Sequence, residues 1–246
     1  MKQFLLFVLS FVVGIPVFSQ ATSGKIIYEA KVNMHKQLPP GDEQIKTVMP
    51  EFSALEVEVL YRGNLVVVKP KQAIEDARNQ PDGPAKGDHM FVSVAAPLSV
   101  EIFKNYETGT VVELRELGPK KYLIKDSMPE FQWKLEGQSK TVAGFACKKA
   151  TTKNKEGDEI VAWYTEAIAC PGGPELYGGL PGMILELQAG DNAFVYSAKT
   201  VGPIPEKAVL TAPTKGKEMS RKAFDQMIEK EMNAPLRSGK PVRIAF

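Results

Sequence analysis

A glycine-proline turn runs directly into an alternating apolar stretch at Gly178-Gly179-Leu180-Pro181-Gly182-Met183-Ile184-Leu185-Glu186-Leu187. Proline fixes one backbone dihedral and glycine tolerates a positive φ, so Leu180-Pro181-Gly182 predicts a type II turn. Alternation from Met183 onward predicts a strand with one face in water. This stretch therefore favours a β-rich fold, in which a rigid turn feeds directly into the sheet.

The residues before this turn carry a family resemblance. They read Trp163-Tyr164-Thr165-Glu166-Ala167-Ile168 and Gly173-Pro174-Glu175-Leu176-Tyr177. Together with the turn they resemble the GLPGLI family of secreted bacterial envelope proteins, whose function is not established. The resemblance spans most of the mature chain and is most specific from about Phe145 to Tyr196. It implies a fold similar to the curved antiparallel half-barrels with helical covers of periplasmic lipoprotein carriers.

The N-terminus has the pattern of a secretory signal peptide. Lys2 is followed by an apolar run from Phe4 to Gly14, and Val17 and Ser19 occupy the positions minus three and minus one before Gln20. We predict a signal peptide over residues 1–19 and a mature chain over residues 20–246. The alternative is an uncleaved N-terminal anchor, but the apolar run is shorter than a membrane span of about 20 residues. We therefore expect an exported protein of the periplasm or outer envelope, or a secreted one, that is not integral to the membrane after cleavage.

The charge balance points to no charged partner. The chain has 31 Lys and Arg against 29 Asp and Glu, with a formal net charge of +2. A nucleic-acid binder would concentrate basic residues in a stripe, whereas these are scattered along the chain. We therefore expect no nucleic-acid partner.

Short alternating runs separated by turn residues predict a mainly β fold. The predicted strands are, in chain order, Lys25–Met34, Ala54–Tyr61, Leu65–Val68, His89–Val94, Val100–Tyr106, Thr110–Leu117, Lys121–Lys125, Trp133–Leu135, Ala143–Thr152, Glu159–Thr165, Met183–Ala189 and Asn192–Val201. Polar residues rich in Pro and Gly predict a flexible loop near residues 71–88. We expect one β-rich domain over residues 20–246, built as a curved antiparallel sheet or half-barrel.

One amphipathic helix is predicted near the C-terminus, over Glu218–Met232. It carries Phe224, Met227 and Ile228 on one face, and charged residues of both signs on the other. We expect the apolar stripe to cover the sheet. Binding to a membrane surface is the alternative, which a uniformly basic polar face would favour. Val242–Phe246 could then add an edge strand.

Cys147 and Cys170 are the only cysteines of the chain. An even count in an exported protein predicts a disulfide, and a bridge closing a loop of roughly 24 residues would contribute about 3 kcal/mol. The alternative is two unpaired thiols, because the family as we know it usually keeps a cysteine like Cys147 but not one like Cys170. No histidine lies near either cysteine in sequence, so neither is predicted to be a catalytic nucleophile.

The candidate binding residues are aromatic and lie near the turn. The turn itself has two readings, as a structural corner or as a rigid recognition loop beside an apolar groove. In the second reading the ligand or partner site comprises Trp163, Tyr164, Tyr177, Leu180, Pro181 and Gly182. Because neighbours on a strand point to opposite faces, at most one of Trp163 and Tyr164 can line a given groove.

Signals for catalysis or metal binding are weak. Glu166 and Glu186 could serve as a general acid and base if neighbouring strands brought them together, but the alternation predicts Glu186 in water. Met34-His35 and His89-Met90 pair copper-type ligands, yet adjacent strand side chains point apart. No phosphate loop, nucleophile elbow or zinc spacing is present. We therefore expect no metal, no cofactor and no enzymatic activity, with a copper site or a hydrolase as minor alternatives.

The function that this sequence favours is binding of an apolar or extended ligand between the sheet and the covering helix. The alternative is an accessory protein that docks to outer-membrane transport or secretion machinery. Exposed aromatic residues around Tyr177 would favour docking, whereas a closed apolar cavity under the helix would favour carriage.

Overall fold

Strands dominate the computed structural model, which describes residues 20–38, 43–71, 101–117, 120–154 and 157–233. The strands are β1 (Ser23–Asn33), β2 (Phe52–Arg62), β3 (Leu65–Pro70), β4 (Glu101–Asn105), β5 (Thr110–Leu117), β6 (Lys120–Ser127), β7 (Lys134–Val142), β8 (Phe145–Lys153), β9 (Glu159–Thr165), β10 (Met183–Ala189), β11 (Phe194–Gly202) and β12 (Lys217–Met219). A 3-10 turn follows β1 at Met34–Gln37, and the α-helices are α1 (Glu43–Lys46) and α2 (Arg221–Asn233). The predicted mainly β class with a C-terminal helix is confirmed.

The strands form one sheet in the order β12-β6-β5-β4-β3-β2-β1-β11-β10-β9-β8-β7. Every neighbouring pair is antiparallel except β12 and β6, which run parallel. On one side of β1 the strands follow in chain order from β2 to β6 and then β12, and on the other side they run in reverse order from β11 to β7. Strand β1 joins the two halves by pairing with both β2 and β11. The sheet is open, because β12 and β7 stand at opposite ends of the order and do not pair with each other.

Apolar side chains form rows across one face of the sheet, which we call the inner face. In one row Ile26 of β1 pairs with Val59 of β2, which pairs with Val68 of β3, which in turn pairs with Ile102 of β4. All four residues are at most 2% exposed. β-branched neighbours pack well on a pleated surface, so these rows fix the register of the strands.

Helix α2 covers the end of the inner face at β6. Phe224 meets Tyr122 edge to face, with ring centroids 5.8 Å apart, and both pack with Ile124. The helix begins later than predicted because Lys217–Met219 extend along β6 as β12. Ser220 then accepts a hydrogen bond from the amide of Ala223 (3.3 Å), which is the usual role of serine before the first helical turn. The prediction that the apolar stripe covers the sheet is confirmed.

Several predictions concern residues outside the described ranges. They are the signal peptide over 1–19, residues 72–88 of the predicted loop, the strand His89–Val94 and the edge strand Val242–Phe246. Within the described residues, no helix is long and apolar enough to cross a membrane.

Candidate functional site: a groove beside the signature loop

Residues 166–182, which we call the signature loop, connect β9 to β10 and lie across the inner face. At its start, Ile168 bridges to Ala21, and the amide of Ala169 donates to the carbonyl of Ala21 (3.1 Å). At its end, the buried hydroxyl of Tyr28 on β1 donates to the carbonyl of Ile184 (2.5 Å). The loop therefore occupies space on the inner face that a ligand between sheet and helix would otherwise use.

Lys104 of β4 holds the middle of the signature loop. Its ammonium group donates to the carbonyls of Gly173 (2.7 Å), Glu175 (2.8 Å) and Tyr177 (3.1 Å). The residue is fully buried, and burial lowers the pKa of its side chain to about 7. All three donors of the ammonium are used, so Lys104 fixes the backbone of the loop on the sheet.

The glycine-proline corner differs from the predicted type II turn. The amide of Gly182 donates to the carbonyl of Leu180 (2.7 Å), which closes a three-residue turn around Pro181. The predicted positive φ is present, since Gly182 has a φ of 148°. The tighter turn arises because Gly182 packs directly against the backbone of Thr165 at the end of β9.

The predicted site residues do not share one surface. Tyr164 is 2% exposed on the inner face, whereas Trp163 points to the outer face and is half-buried. There the Lys140 ammonium lies 4.4 Å from the centroid of the Trp163 ring. The rings of Trp163 and Tyr164 therefore lie on opposite faces of the sheet, in agreement with the prediction.

Within the turn, each predicted residue has a different environment. Leu180 is 2% exposed in the core, Gly182 is buried and Pro181 is exposed. Tyr177 is half-buried and is the one predicted site residue that packs in the aromatic cluster described next. The structure therefore does not bring the six predicted residues together into one groove.

A groove opens where the signature loop meets the segment after β6. Phe131 stacks on Tyr177 with ring centroids 5.0 Å apart, and the indole of Trp133 donates to the carbonyl of Gly178 (2.8 Å). The groove has a volume of about 580 Å³ and is lined by Tyr106, Gly109, Ser127, Met128, Pro129, Glu130, Phe131, Gln132, Leu176, Gly178 and Gly179. We call it the aromatic groove.

A second, more polar depression lies on the other side of residues 130–132. Its volume is about 550 Å³, and it is lined by Glu130, Phe131, Gln132, Lys134, Glu136, Thr151, Thr152, Lys153 and Glu159. Phe131 therefore separates a polar depression over β7 to β9 from the aromatic groove. An extended segment crossing this residue would contact both depressions.

The predicted disulfide is not formed in this structure. Cys147 and Cys170 are both free and fully buried, and burial raises the pKa of each thiol to about 11. Their charged neighbours differ: Lys140 and Glu186 lie near Cys147, and Lys104 lies near Cys170. Thiols with raised pKa values are poor nucleophiles, which fits a packing role.

The two carboxylates considered for catalysis have separate partners. Glu166 is exposed and pairs with Lys148 (2.8 Å), whereas Glu186 pairs with Lys140 (2.7 Å) and accepts from Gln188 (2.8 Å). Each carboxylate is therefore held by a different lysine. Nothing in this arrangement makes them an acid and base pair.

His35 is the histidine that the structure describes, and its ring contacts a backbone carbonyl. His35 Nε2 lies 2.9 Å from the carbonyl of Met49, and no cluster of three or more His, Cys, Asp or Glu is found in the described ranges. His89, the other histidine of the chain, lies outside them. The paired Met-His hypothesis for copper therefore gains no support here.

Comparison with known proteins yields a short family match and a fold match. A family described as a protein of unknown function (Porph_ging) matches residues 153–186, which include β9 and the signature loop. This match is compatible with the GLPGLI resemblance. No curated protein matches the chain.

Two solved structures of PNGF-II, in space groups P21 and C2, resemble this fold. Each aligns with a TM-score of 0.57 and 16% sequence identity, over 86% of this chain and 34% of the other chain. This chain thus spans about a third of the length of those proteins. An uncharacterized conserved protein from Thermus thermophilus aligns with a TM-score of 0.40 and 9% identity, over 82% of this chain and 91% of its own. At 16% identity, the PNGF-II likeness shows the fold alone.

Proposed function

We propose that this chain is an exported envelope protein that docks an extended segment of a partner protein in the aromatic groove. The observation that carries the proposal is the half-buried ring pair of Phe131 and Tyr177 beside an open groove of about 580 Å³. Open grooves lined by aromatic rings suit extended peptides, which present alternate side chains to pockets at low entropic cost.

The packing of the inner face supports docking over carriage. The signature loop lies on the sheet, held by Lys104, and Tyr28 bonds to Ile184 in β10, just after the loop. At the helical end, Phe224 packs directly against Tyr122 and Ile124. A ligand carried between sheet and helix would have to displace one of these contacts, whereas a peptide in the aromatic groove displaces neither.

Export is supported by the N-terminal sequence. If the signal peptide is cleaved after Ser19, the mature protein begins at Gln20. We expect intact-mass measurement of the protein recovered from its native envelope to give the mass of residues 20–246. A mass that includes residues 1–19 would contradict cleavage and support the uncleaved anchor.

The docking proposal predicts that Phe131→Ala weakens peptide binding at least tenfold. Phe131 belongs, with Glu130 and Gln132, to the wall shared by both depressions, and aromatic anchors contribute much of the binding energy at such sites. The probe is a random peptide display library selected on residues 20–246, with the affinity of the selected peptides then measured on the purified variant. Leu135→Ala is the matched control, because Leu135 is an exposed apolar residue (58%) outside the groove lining.

Two results would overturn docking at this groove. One is a library that yields no binder, or only peptides that bind Phe131→Ala as tightly as the unaltered protein. The other is a stoichiometric lipid released from the native protein in mass spectrometry, which would restore carriage as the main role.

A further inference from the structure

Glu130 is the one charged residue in the lining of the aromatic groove, among the residues that the structure describes. The other lining residues are aromatic, apolar, small or polar without charge. Glu130 also lines the polar depression on the other side of Phe131, so its position is common to both depressions. An extended segment that crosses Phe131 would therefore pass this carboxylate.

The other carboxylates that line the polar depression have a lysine beside them. Glu136 lies 3.6 Å from the ammonium group of Lys149. Glu159 stands directly opposite Lys153 in the pairing of β8 with β9. Glu130 is exposed, and within the described ranges its side chain has no ion pair or hydrogen bond. The negative charge of Glu130 is therefore the uncompensated one on this surface.

The backbone that carries Glu130 is held on both sides. Before it, the amide of Met128 donates to the carbonyl of Gly109 (2.9 Å). After it, the indole of Trp133 donates to the carbonyl of Gly178 (2.8 Å). The carboxylate therefore projects from a fixed point between the two depressions, which lowers the entropic cost of pairing it with a charge on a bound segment.

The backbone between the two depressions is available to an extended segment. In the part of the chain that the structure describes, the amides of residues 130–132 make no hydrogen bond. Extended peptides bind such unpaired backbone with main-chain hydrogen bonds and place alternate side chains in pockets. Successive side chains of an extended chain point to opposite sides. An apolar residue in the aromatic groove would thus have neighbours directed toward the polar depression, past Glu130.

We propose that Glu130 determines the specificity of the aromatic groove, and that the docked segment carries a lysine or arginine next to the apolar residue that enters the groove. This inference rests on the proposed function, since it names the chemistry of the segment that docks there. Charges at the rim of an interface contribute to specificity more than to affinity. The preference for a basic neighbour should therefore be about twofold to fivefold, the range of exposed ion pairs.

Two peptide display libraries test the proposal. Both have a fixed central tryptophan in an otherwise random sequence, and the residues on either side of it are lysine in one library and glutamate in the other. The libraries are mixed in equal amounts and selected on residues 20–246. We expect the lysine library to be recovered about twofold to fivefold more often in each round. In about 1 M salt, where charges are screened within about 3 Å, the preference should shrink.

Glu130→Lys should reverse the preference, because the new ammonium group repels the lysine library and attracts the glutamate library. Glu130→Gln, which keeps the size of the side chain, should bring the two libraries to equal recovery. Glu206→Lys is the matched control, since Glu206 is also exposed, the charge change is the same, and the residue lies outside both depressions. This control should keep the preference of the unaltered protein. If Glu130→Lys does not fold, Glu130→Gln decides.

The outcomes separate this inference from docking itself. Equal recovery of both libraries, with binding that is lost in Phe131→Ala, would support docking and overturn the role of Glu130. A preference for the lysine library that survives in Glu130→Lys and Glu130→Gln would also overturn it. Recovery from neither library would refute docking, and the specificity with it.

Discussion

Gly182→Ala is expected to destabilise the protein by about 3 to 5 kcal/mol, from backbone strain and overpacking together. Gly182 has a φ of 148°, and an added Cβ would lie 2.7 Å from the carbonyl carbon of Thr165 and 3.1 Å from Cα of Glu166. Both obstacles are backbone atoms, one at the end of β9 and one at the start of the signature loop, so no side chain can swing away to relieve them. Because whole domains are stable by only about 5–15 kcal/mol, this one methyl group removes a large share of the stability.

Gly137→Ala is the matched control for this substitution. Gly137 belongs to the edge strand β7, has no atom within 4 Å of an added Cβ and does not have a positive φ. Its replacement should change the free energy of unfolding by less than about 0.5 kcal/mol. Urea unfolding followed by circular dichroism measures both variants. If Gly182→Ala unfolds at the same urea concentration as Gly137→Ala, the corner is not a tight structural turn.

Strands with strict alternation between turns were predictable from the sequence. The predicted bounds Thr110–Leu117, Glu159–Thr165 and Met183–Ala189 coincide with β5, β9 and β10. The pattern works here because one face of each strand packs in the core, while glycine and polar residues interrupt the runs.

Strands that bury little of their surface were missed or shortened. β7 extends over Lys134–Val142, but only Trp133–Leu135 was predicted, because the remaining residues are mostly polar and exposed. β12 has three residues and is held by parallel pairing with β6, which no local pattern indicates. Edge strands carry weak hydrophobic periodicity, so local sequence alone does not reveal them.

The aromatic groove depends on contacts between distant segments. Phe131 follows β6 in a segment without periodicity, and its stacking on Tyr177 joins residues far apart in sequence. Proximity to the turn instead favoured Trp163 and Tyr164 as predicted binding residues. These two residues are adjacent in sequence but lie on opposite faces of the sheet. Lys104 did leave a signal: it shares strand parity with Ile102, so burial of that isoleucine also turns the lysine inward.

Tyr164→Ala is expected to cost about 3 to 5 kcal/mol, whereas Trp163→Ala should cost only about 1 to 2 kcal/mol. Tyr164 is 2% exposed and belongs to the main core cluster, so its truncation leaves a cavity. Trp163 is half-buried on the outer face, so its truncation removes partial packing against the core cluster together with the contact between its ring and the Lys140 ammonium.

The two variants also separate a packing role from a binding role for this aromatic pair. Neither residue lines the aromatic groove, so peptides selected on the unaltered protein should bind folded Trp163→Ala with unchanged affinity. Denaturant unfolding gives the stability difference, and peptide titration of Trp163→Ala gives the binding comparison. A large loss of peptide affinity in Trp163→Ala, with its stability retained, would move the docking surface to the outer face of β9. Equal destabilisation by both substitutions would mean that the outer face is packed as tightly as the inner one.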